Sequence, residues 1–190
     1  MNSAIMTIWN VELGLAIHIK TPNGKNIVID LGSTENFSPL DENIGYESIN
    51  YLVITHPHLD HFSDIVNLRV NPDVLSCCRD YTREELLTDI RDCDKATFQK
   101  YCDLCDRYSF PVPTYLDPEQ ESTFAGVTAK IFQTSLCDKS NINNHSLIVV
   151  IKFGTTKIIV CGDNETDSFE HLMQDFSFKE AIQNADILIA

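Results

Sequence analysis

The strongest constraint on the fold is a short stretch, residues 51–61, in which a buried strand runs directly into a cluster of metal-binding side chains. The apolar run 51–54 predicts a β-strand of a sheet interior. Pro57 ends regular strand pairing shortly afterwards, because its nitrogen carries no hydrogen. Loops at the carboxyl ends of strands are the usual place for a functional site in an α/β sheet. The sequence therefore predicts a site in the loop after this strand.

Four metal-binding side chains follow that strand within six residues: His56, His58, Asp60 and His61. His56 and His58 are two apart in an extended segment, so their side chains are predicted to point to the same side. Asp60 and His61 are adjacent and are predicted to face a second position nearby. Three of the six histidines of the chain fall in this loop, a concentration typical of metal sites rather than of isolated surface histidines. The spacing favours two metal ions over one.

The pattern His-x-His-x-Asp-His after an apolar strand resembles the signature of the metallo-β-lactamase fold superfamily, and most closely its branch related to the hydrolase domain of DNA-uptake competence proteins. The resemblance covers nearly the whole chain. A length of 190 residues indicates a single domain, 1–190. Its hairpins and helices suit a four-layer αββα sandwich of the α/β class. A helical insertion is predicted at about 71–113, where it would set the shape of the substrate site.

The resemblance assigns further residues. Asp163 follows a glycine at the end of an apolar strand, and in the family such a carboxylate bridges both metals. His145 lies where classical members have the third histidine of the first metal, but the competence-like branch has an Asn-Asn-x-Ser pattern there without an obligatory histidine. His145 is therefore either a ligand or a residue that faces the substrate or supports the ligands from behind. Asp30, at the end of an earlier strand, is implied to support the ligand loop by hydrogen bonding rather than to bind metal.

The implied metal ligands are His56, His58, Asp60, His61, His145 and Asp163. They predict a binuclear site, with zinc as the preferred ion and manganese or iron as alternatives. Such a site activates water for hydrolysis, and Asp60 would also orient the attacking hydroxide as a catalytic residue. The resemblance implies a phosphodiester-type substrate, either a small molecule or a nucleotide. The alternatives are the hydrolysis of a lactone, thioester or β-lactam bond, and a truncated module that binds or regulates without turnover.

One expected ligand has no counterpart. In the family, a further histidine after the last strand completes the second metal site, whereas here the sequence stops at Ala190, at the end of that predicted strand. The second half of the sandwich is therefore predicted to be incomplete at the C-terminus. The sequence is either a fragment of a longer reading frame or a natural truncation with an impaired second site.

The formal charge of −14 argues against a basic groove for nucleic acid, although bound metal ions would still allow a phosphodiester substrate. No apolar run is long enough to cross a membrane, and the first residues lack the features of a signal peptide. Seven cysteines without a small-domain spacing indicate reduced thiols in a cytoplasmic protein. Cys102 and Cys105 are either ligands of a structural zinc or, the favoured interpretation, buried thiols on one face of a helix.

Turn chemistry and periodicity predict the remaining elements. Pro22-Asn23-Gly24 predicts a hairpin between 15–20 and 26–31, and a second hairpin joins 147–153 to 157–161. Thr82 and Glu85 stand at the spacing of a capping box at a helix start. A single amphipathic helix is predicted over 167–184, with its apolar face formed by Phe169, Leu172, Met173 and Phe176.

Overall fold

Two β-sheets carry the fold in this computed structural model, which describes residues 3–44, 48–108 and 111–190. The first sheet has the order β1-β2-β3-β4-β5, with β1–β3 antiparallel and β3–β5 parallel. Its strands are β1 Ile5–Ile8, β2 Ile17–Lys20, β3 Asn26–Ile29, β4 Tyr51–Ile54 and β5 Val74–Cys77. The second sheet has the order β6-β7-β8-β9, antiparallel except for the last pair. Its strands are β6 Val127–Phe132, β7 Ile148–Phe153, β8 Thr156–Val160 and β9 Ile187–Ile189.

The alternation of side chains along the strands divides the core into layers. Ile27 and Ile29 belong to an apolar cluster with Val149 and Ile151 of the second sheet, so this cluster fills the space between the sheets. Leu52, between two residues of that cluster, packs instead with the helices on the outer face of the first sheet. The helices are α1 Arg83–Leu87, α2 Lys95–Arg107, α3 Thr166–Leu172 and α4 Phe176–Ile182. Since α3 and α4 cover the second sheet, the predicted αββα order of layers is confirmed.

Both predicted hairpins and the capping box are confirmed. Thr82 accepts a hydrogen bond from the Glu85 backbone N–H, and the Glu85 carboxylate accepts one from the Thr82 N–H. The segment predicted as an insertion contains α1 and α2, but it begins with β5, which pairs in parallel with β4 as part of the first sheet. Residues 45–47 of the loop before β4 and 109–110 of the segment 71–113 lie outside the described residues.

The prediction of one helix over 167–184 was wrong, because the chain breaks into α3 and α4. The side chain of Asp175 accepts a hydrogen bond from the Ser177 backbone N–H and starts α4 as its N-cap. After the break, Phe178 is the buried aromatic residue of α4, whereas Phe176 is 75% exposed. Met173, which lies just before the break, is 44% exposed. Among the described helices, none is long and apolar enough to span a membrane.

Candidate metal centre

The candidate centre lies where the carboxyl ends of β4 and β8, one from each sheet, come together. The ligand loop after β4 forms a short 3-10 turn at Leu59–His61, and Asp163 follows β8 after a sharp turn at Gly162, which has a φ of +54°. Asp163 Oδ2 lies 3.8 Å from His56 Nε2, and Asp163 Oδ1 lies 3.2 Å from His61 Nε2. Each oxygen of this carboxylate therefore faces a different histidine.

One group of potential ligand atoms comes together among the described residues. One atom each from His56, His61 and Asp163 lies within 4.8 Å of the other two. Both histidines are buried, whereas the Asp163 side chain is 39% exposed. A buried pair of imidazoles open to solvent through a carboxylate can hold a divalent ion. Cys102 lies in the apolar cluster on the outer face of the first sheet, and Cys105 packs against that cluster.

His58 and Asp60 flank this group on opposite sides. His58 Nδ1 lies 3.1 Å from His56 Nε2, close to the separation of about 3.3 Å that two nitrogen ligands of one tetrahedral zinc would have. Asp60 Oδ2 lies 3.9 Å from His61 Nε2, and its side chain is 45% exposed. The structure thus pairs His56 with His58 and Asp60 with His61, with Asp163 between the two pairs.

Asp30 holds the ligand loop from below. Its Oδ1 accepts the Thr55 backbone N–H at 2.7 Å, and its Oδ2 accepts the Thr55 hydroxyl at 2.7 Å. His61 Nδ1 lies 2.7 Å from the same Oδ2. Asp30 is fully buried and adopts a left-handed φ of +58°, a conformation that costs free energy in any residue with a Cβ. These are the hydrogen bonds that the supporting role implied by the sequence requires.

A relay of hydrogen bonds sets the protonated nitrogen of each buried imidazole. The Thr55 hydroxyl donates to Asp30 and lies 3.2 Å from His56 Nδ1, so it can accept that nitrogen's hydrogen. His61 Nδ1 donates to Asp30 directly. While both imidazoles are neutral, each Nε2 atom then keeps a lone pair on the side of Asp163, where a cation could lie. This is the arrangement in which a carboxylate orients metal-binding histidines.

The residues present fit a divalent cation. His61 Nε2 is buried without a well-aligned hydrogen bond, although Asp163 Oδ1 is near it. Burial opposes protonation of His61, but the nearby carboxylates of Asp163 and Asp30 outweigh burial and raise its pKa to about 10. Burial, together with the charge of His61, lowers the pKa of His56 to about 3. A bound cation would give His61 Nε2 the partner that it lacks. It would also neutralise the negative charge of the nearby carboxylates.

His145 lies outside this group. Its Nδ1 is 2.6 Å from Asp80 Oδ2, and its Nε2 is 3.4 Å from the Asp138 carbonyl oxygen. Both ring nitrogens therefore face protein partners, and the ring packs edge-on against Tyr81. The structure therefore does not place His145 among the clustered ligand atoms. Its role near the site stays a prediction.

Several residues that shape the site carry no sequence signal of their own. A Cβ at Gly14 would lie 2.0 Å from the Asp60 carbonyl oxygen, and a Cβ at Gly32 would lie 2.6 Å from the same atom. Asp64 is fully buried and accepts hydrogen bonds from Ser38 and the Leu40 N–H. These contacts join residues more than 20 positions apart, so only the fold brings them together.

The comparisons with known proteins agree with this geometry. The sequence profile described as the metallo-beta-lactamase superfamily matches residues 10–175. The metallo-beta-lactamase fold protein YhfI from Bacillus subtilis superposes on 100% of this chain and 71% of its own, at 16% identity and a TM-score of 0.53. CmlA, a diiron β-hydroxylase from Streptomyces venezuelae, superposes on 98% of this chain but only 34% of its own, at 16% identity and a TM-score of 0.56. No curated protein matches the chain at a significant level.

The two solved structures share the fold with this chain, and at 16% identity they carry nothing further. The family profile is the stronger finding, because it spans most of the sequence, including the ligand loop and Asp163. The chain belongs to the metallo-β-lactamase superfamily.

Proposed function

We propose that this chain is a metal-dependent hydrolase with a binuclear site, for which zinc is the preferred ion. His56 Nε2 and His58 Nδ1 would hold one ion, His61 Nε2 and Asp60 the other, and Asp163 would bridge them. The observation that carries the proposal is the orientation of Asp163, whose two oxygens face different histidines. Bound ions of this kind lower the pKa of a water molecule and polarise the scissile bond.

The protein's own groups would position the reactants. Asp60 is half-exposed at the edge of the site, where its carboxylate can accept a hydrogen bond from the attacking water and fix its direction. Asp30 lies 2.7 Å from His61 Nδ1 and accepts the Thr55 hydroxyl at 2.7 Å. That hydroxyl lies 3.2 Å from His56 Nδ1, so the two residues would hold both buried imidazoles in one orientation. Preorganised groups of this kind avoid the cost of reordering during the reaction.

A phosphodiester is the preferred substrate, on the strength of the resemblance to the competence-type branch. The second candidate is an ester-type bond, as in a lactone, thioester or β-lactam. It is favoured by a cavity beside His58 whose walls are largely apolar. Nucleic acid is disfavoured as a partner by the net charge of −14, and a cytoplasmic location stays a prediction.

Metal content is the decisive measurement. Elemental analysis of the purified chain should find about two zinc ions per chain. The double variant with His56→Ala and His58→Ala should lose at least one of them. His171→Ala, which changes an exposed histidine on α3, is the matched control and should keep both. A folded chain without metal would contradict the proposal and leave a non-catalytic binding module as the interpretation.

The type of bond follows from a parallel assay. Bis(p-nitrophenyl) phosphate, a chromogenic cephalosporin and an aromatic lactone are offered to the same zinc-loaded preparation. Turnover of the first supports the phosphodiester proposal, and turnover of either other compound supports the second candidate. The double histidine variant should lose whichever activity is found, while His171→Ala retains it.

A further inference from the structure

A cavity of about 450 Å³ lies directly beside the candidate metal centre. His58 and Pro57 of the ligand loop form one wall, and Leu86, Ile90 and Phe98 from the α1–α2 segment form another. Ile142, from the loop before β7, closes the third side. The volume falls within the range of small-molecule sites, which are mostly apolar with a few polar groups. Because His58 belongs to both, a molecule bound at the centre can extend into this cavity.

The cavity offers no unpaired positive charge to an anionic ligand. Lys139 is the one Lys or Arg among the described residues that line it, and its ammonium nitrogen lies 3.0 Å and 3.3 Å from the two carboxylate oxygens of Glu85. The same nitrogen lies 5.4 Å from the centre of the Tyr81 ring. Hydrogen bonds from the Thr82 N–H and Lys139 lower the pKa of Glu85 to about 2, so that the pair is neutral as a whole near pH 7. A phosphate group that entered this cavity would therefore meet no available positive charge.

The walls are tied together across long sequence distances. The Tyr81 hydroxyl donates to the Lys139 carbonyl oxygen at 2.8 Å, and Asp80 lies 2.6 Å from His145 Nδ1. These bonds connect the start of α1 with the loop before β7, two segments that both line the cavity. A cavity whose walls are fixed before binding loses less entropy when a ligand enters.

We infer that this cavity binds an uncharged, apolar arm of the substrate, an alkyl or aryl group attached next to the scissile bond. The inference rests on the proposed hydrolase function and narrows its substrate class. It favours a hydrophobic ester or a phosphodiester with one apolar arm over a polyanion such as a nucleic acid. The apolar arm would bind in the same way whether the scissile bond is an ester or a phosphodiester. Two series of substrates distinguish these two types of bond.

Direct binding tests the cavity without any turnover. The neutral fluorophore N-phenyl-1-naphthylamine is titrated into the zinc-loaded chain. One site is expected in the wild type, and binding should weaken at least about tenfold in Ile142→Asp, because a buried charge is costly. Thr88→Trp, at an exposed position on the cavity rim, should weaken binding by filling the space, even if Ile142→Asp does not fold. Met173→Asp changes an exposed apolar residue directly after α3 and should bind as the wild type does. Equal binding in all variants, or none in the folded wild type, would overturn the inference.

Turnover then separates this inference from the proposed function. The substrates are methyl and hexyl p-nitrophenyl phosphate, and p-nitrophenyl acetate and hexanoate. Each buried methylene contributes about fourfold in binding when fully enclosed, so we expect kcat/KM to be at least about tenfold higher for the longer member of the series that is cleaved. The ratio should fall toward one in Thr88→Trp and persist in Met173→Asp. No turnover of any substrate contradicts the hydrolase function, while fluorophore binding still decides the cavity. Turnover without a preference for the longer arm contradicts the inference alone.

Discussion

The buried side chain of Asp30 holds the loop that carries the candidate metal centre. It accepts hydrogen bonds from the Thr55 N–H and hydroxyl and from His61 Nδ1, and the Thr55 hydroxyl lies within reach of His56 Nδ1. One carboxylate therefore sets the orientation of both buried imidazoles. Burial alone raises the pKa of Asp30, and its hydrogen bonds oppose that rise. The ionised carboxylate of Asp30 is therefore stable in the interior only with its hydrogen bonds to Thr55 and His61.

Asp30→Asn should weaken zinc binding by about 10- to 100-fold, the usual cost of losing a group that orients metal ligands. Asparagine tolerates the left-handed φ of +58° at this position, so the backbone should be kept. Competition with a chelating dye measures the affinity. Asp73→Asn, an exposed change at the amino end of β5, is the control and should bind zinc normally. An Asp30→Asn chain with unchanged zinc affinity would remove Asp30 from the site.

Gly14 packs closely against the ligand loop because it has no side chain. A Cβ at this position would lie 2.0 Å from the Asp60 carbonyl oxygen, so Gly14→Ala must displace the loop that carries Asp60. We expect a loss of about 1–3 kcal/mol in stability together with weaker zinc binding. Gly154→Ala is the matched control, because Gly154 has a φ of +59° and open space around it.

This control should lose about 1–2 kcal/mol for the left-handed backbone and bind zinc as the wild type does. Urea denaturation and the dye competition assay measure the two effects separately. If the two glycine variants lost zinc affinity equally, the contact between Gly14 and Asp60 would have no part in shaping the site.

At the scale of elements, the capping box of α1 has a pH dependence of its own. Hydrogen bonds from Thr82 and Lys139 lower the pKa of Glu85 to about 2 from an ordinary value of 4.5. A carboxyl group with a lowered pKa stabilises the folded state above its unfolded pKa, and this stabilisation is lost as the pH falls through the folded pKa. The contribution of Glu85 should therefore be complete above about pH 5 and decline between pH 4.5 and 2.

We expect Glu85→Gln to be less stable than the wild type at pH 7 and the difference to shrink as the pH approaches 2. Urea midpoints at pH 7, 4 and 2.5 measure it. Glu84→Gln, one residue earlier on the exposed face of the same helix, should show no comparable convergence. A constant gap between wild type and Glu85→Gln would contradict the role of the ionised carboxylate.

The elements that could be predicted from sequence are those with a local cause. Apolar runs predicted both hairpins, the first together with Asn-Gly turn chemistry, and Thr82 with Glu85 predicted the start of α1. The single helix over 167–184 was wrong, because periodicity did not weigh the cap that Asp175 provides to α4. In the candidate site, the clustering of metal-binding side chains in the 56–61 loop could be read from the sequence, while their role as ligands stays a prediction. The contact of Gly14 with Asp60 could not, since it arises only when two distant loops meet.

At the scale of the whole molecule, a net charge of −14 makes any cation stabilising, because it screens self-repulsion. A gain in stability on adding zinc is therefore not proof of a site by itself. Two features of the centre would set it apart from this general effect. As proposed, it would bind metal through imidazole nitrogens, which zinc prefers and magnesium does not, and its zinc response would depend on His56 and His58.

We therefore expect zinc at 100 times its Kd to stabilise the chain by about 2.7 kcal/mol, which corresponds to a rise in Tm of about 5–10 °C for a chain of this size. The same concentration of magnesium should raise Tm much less. The double variant with His56→Ala and His58→Ala should show a smaller zinc shift than the wild type, because at most the ion proposed at His61, Asp60 and Asp163 can still bind, while its magnesium shift should be unchanged. Differential scanning calorimetry before and after treatment with a chelator measures each shift. Equal shifts from the two ions in the wild type would mean that charge screening, and not a built metal centre, accounts for the stabilisation.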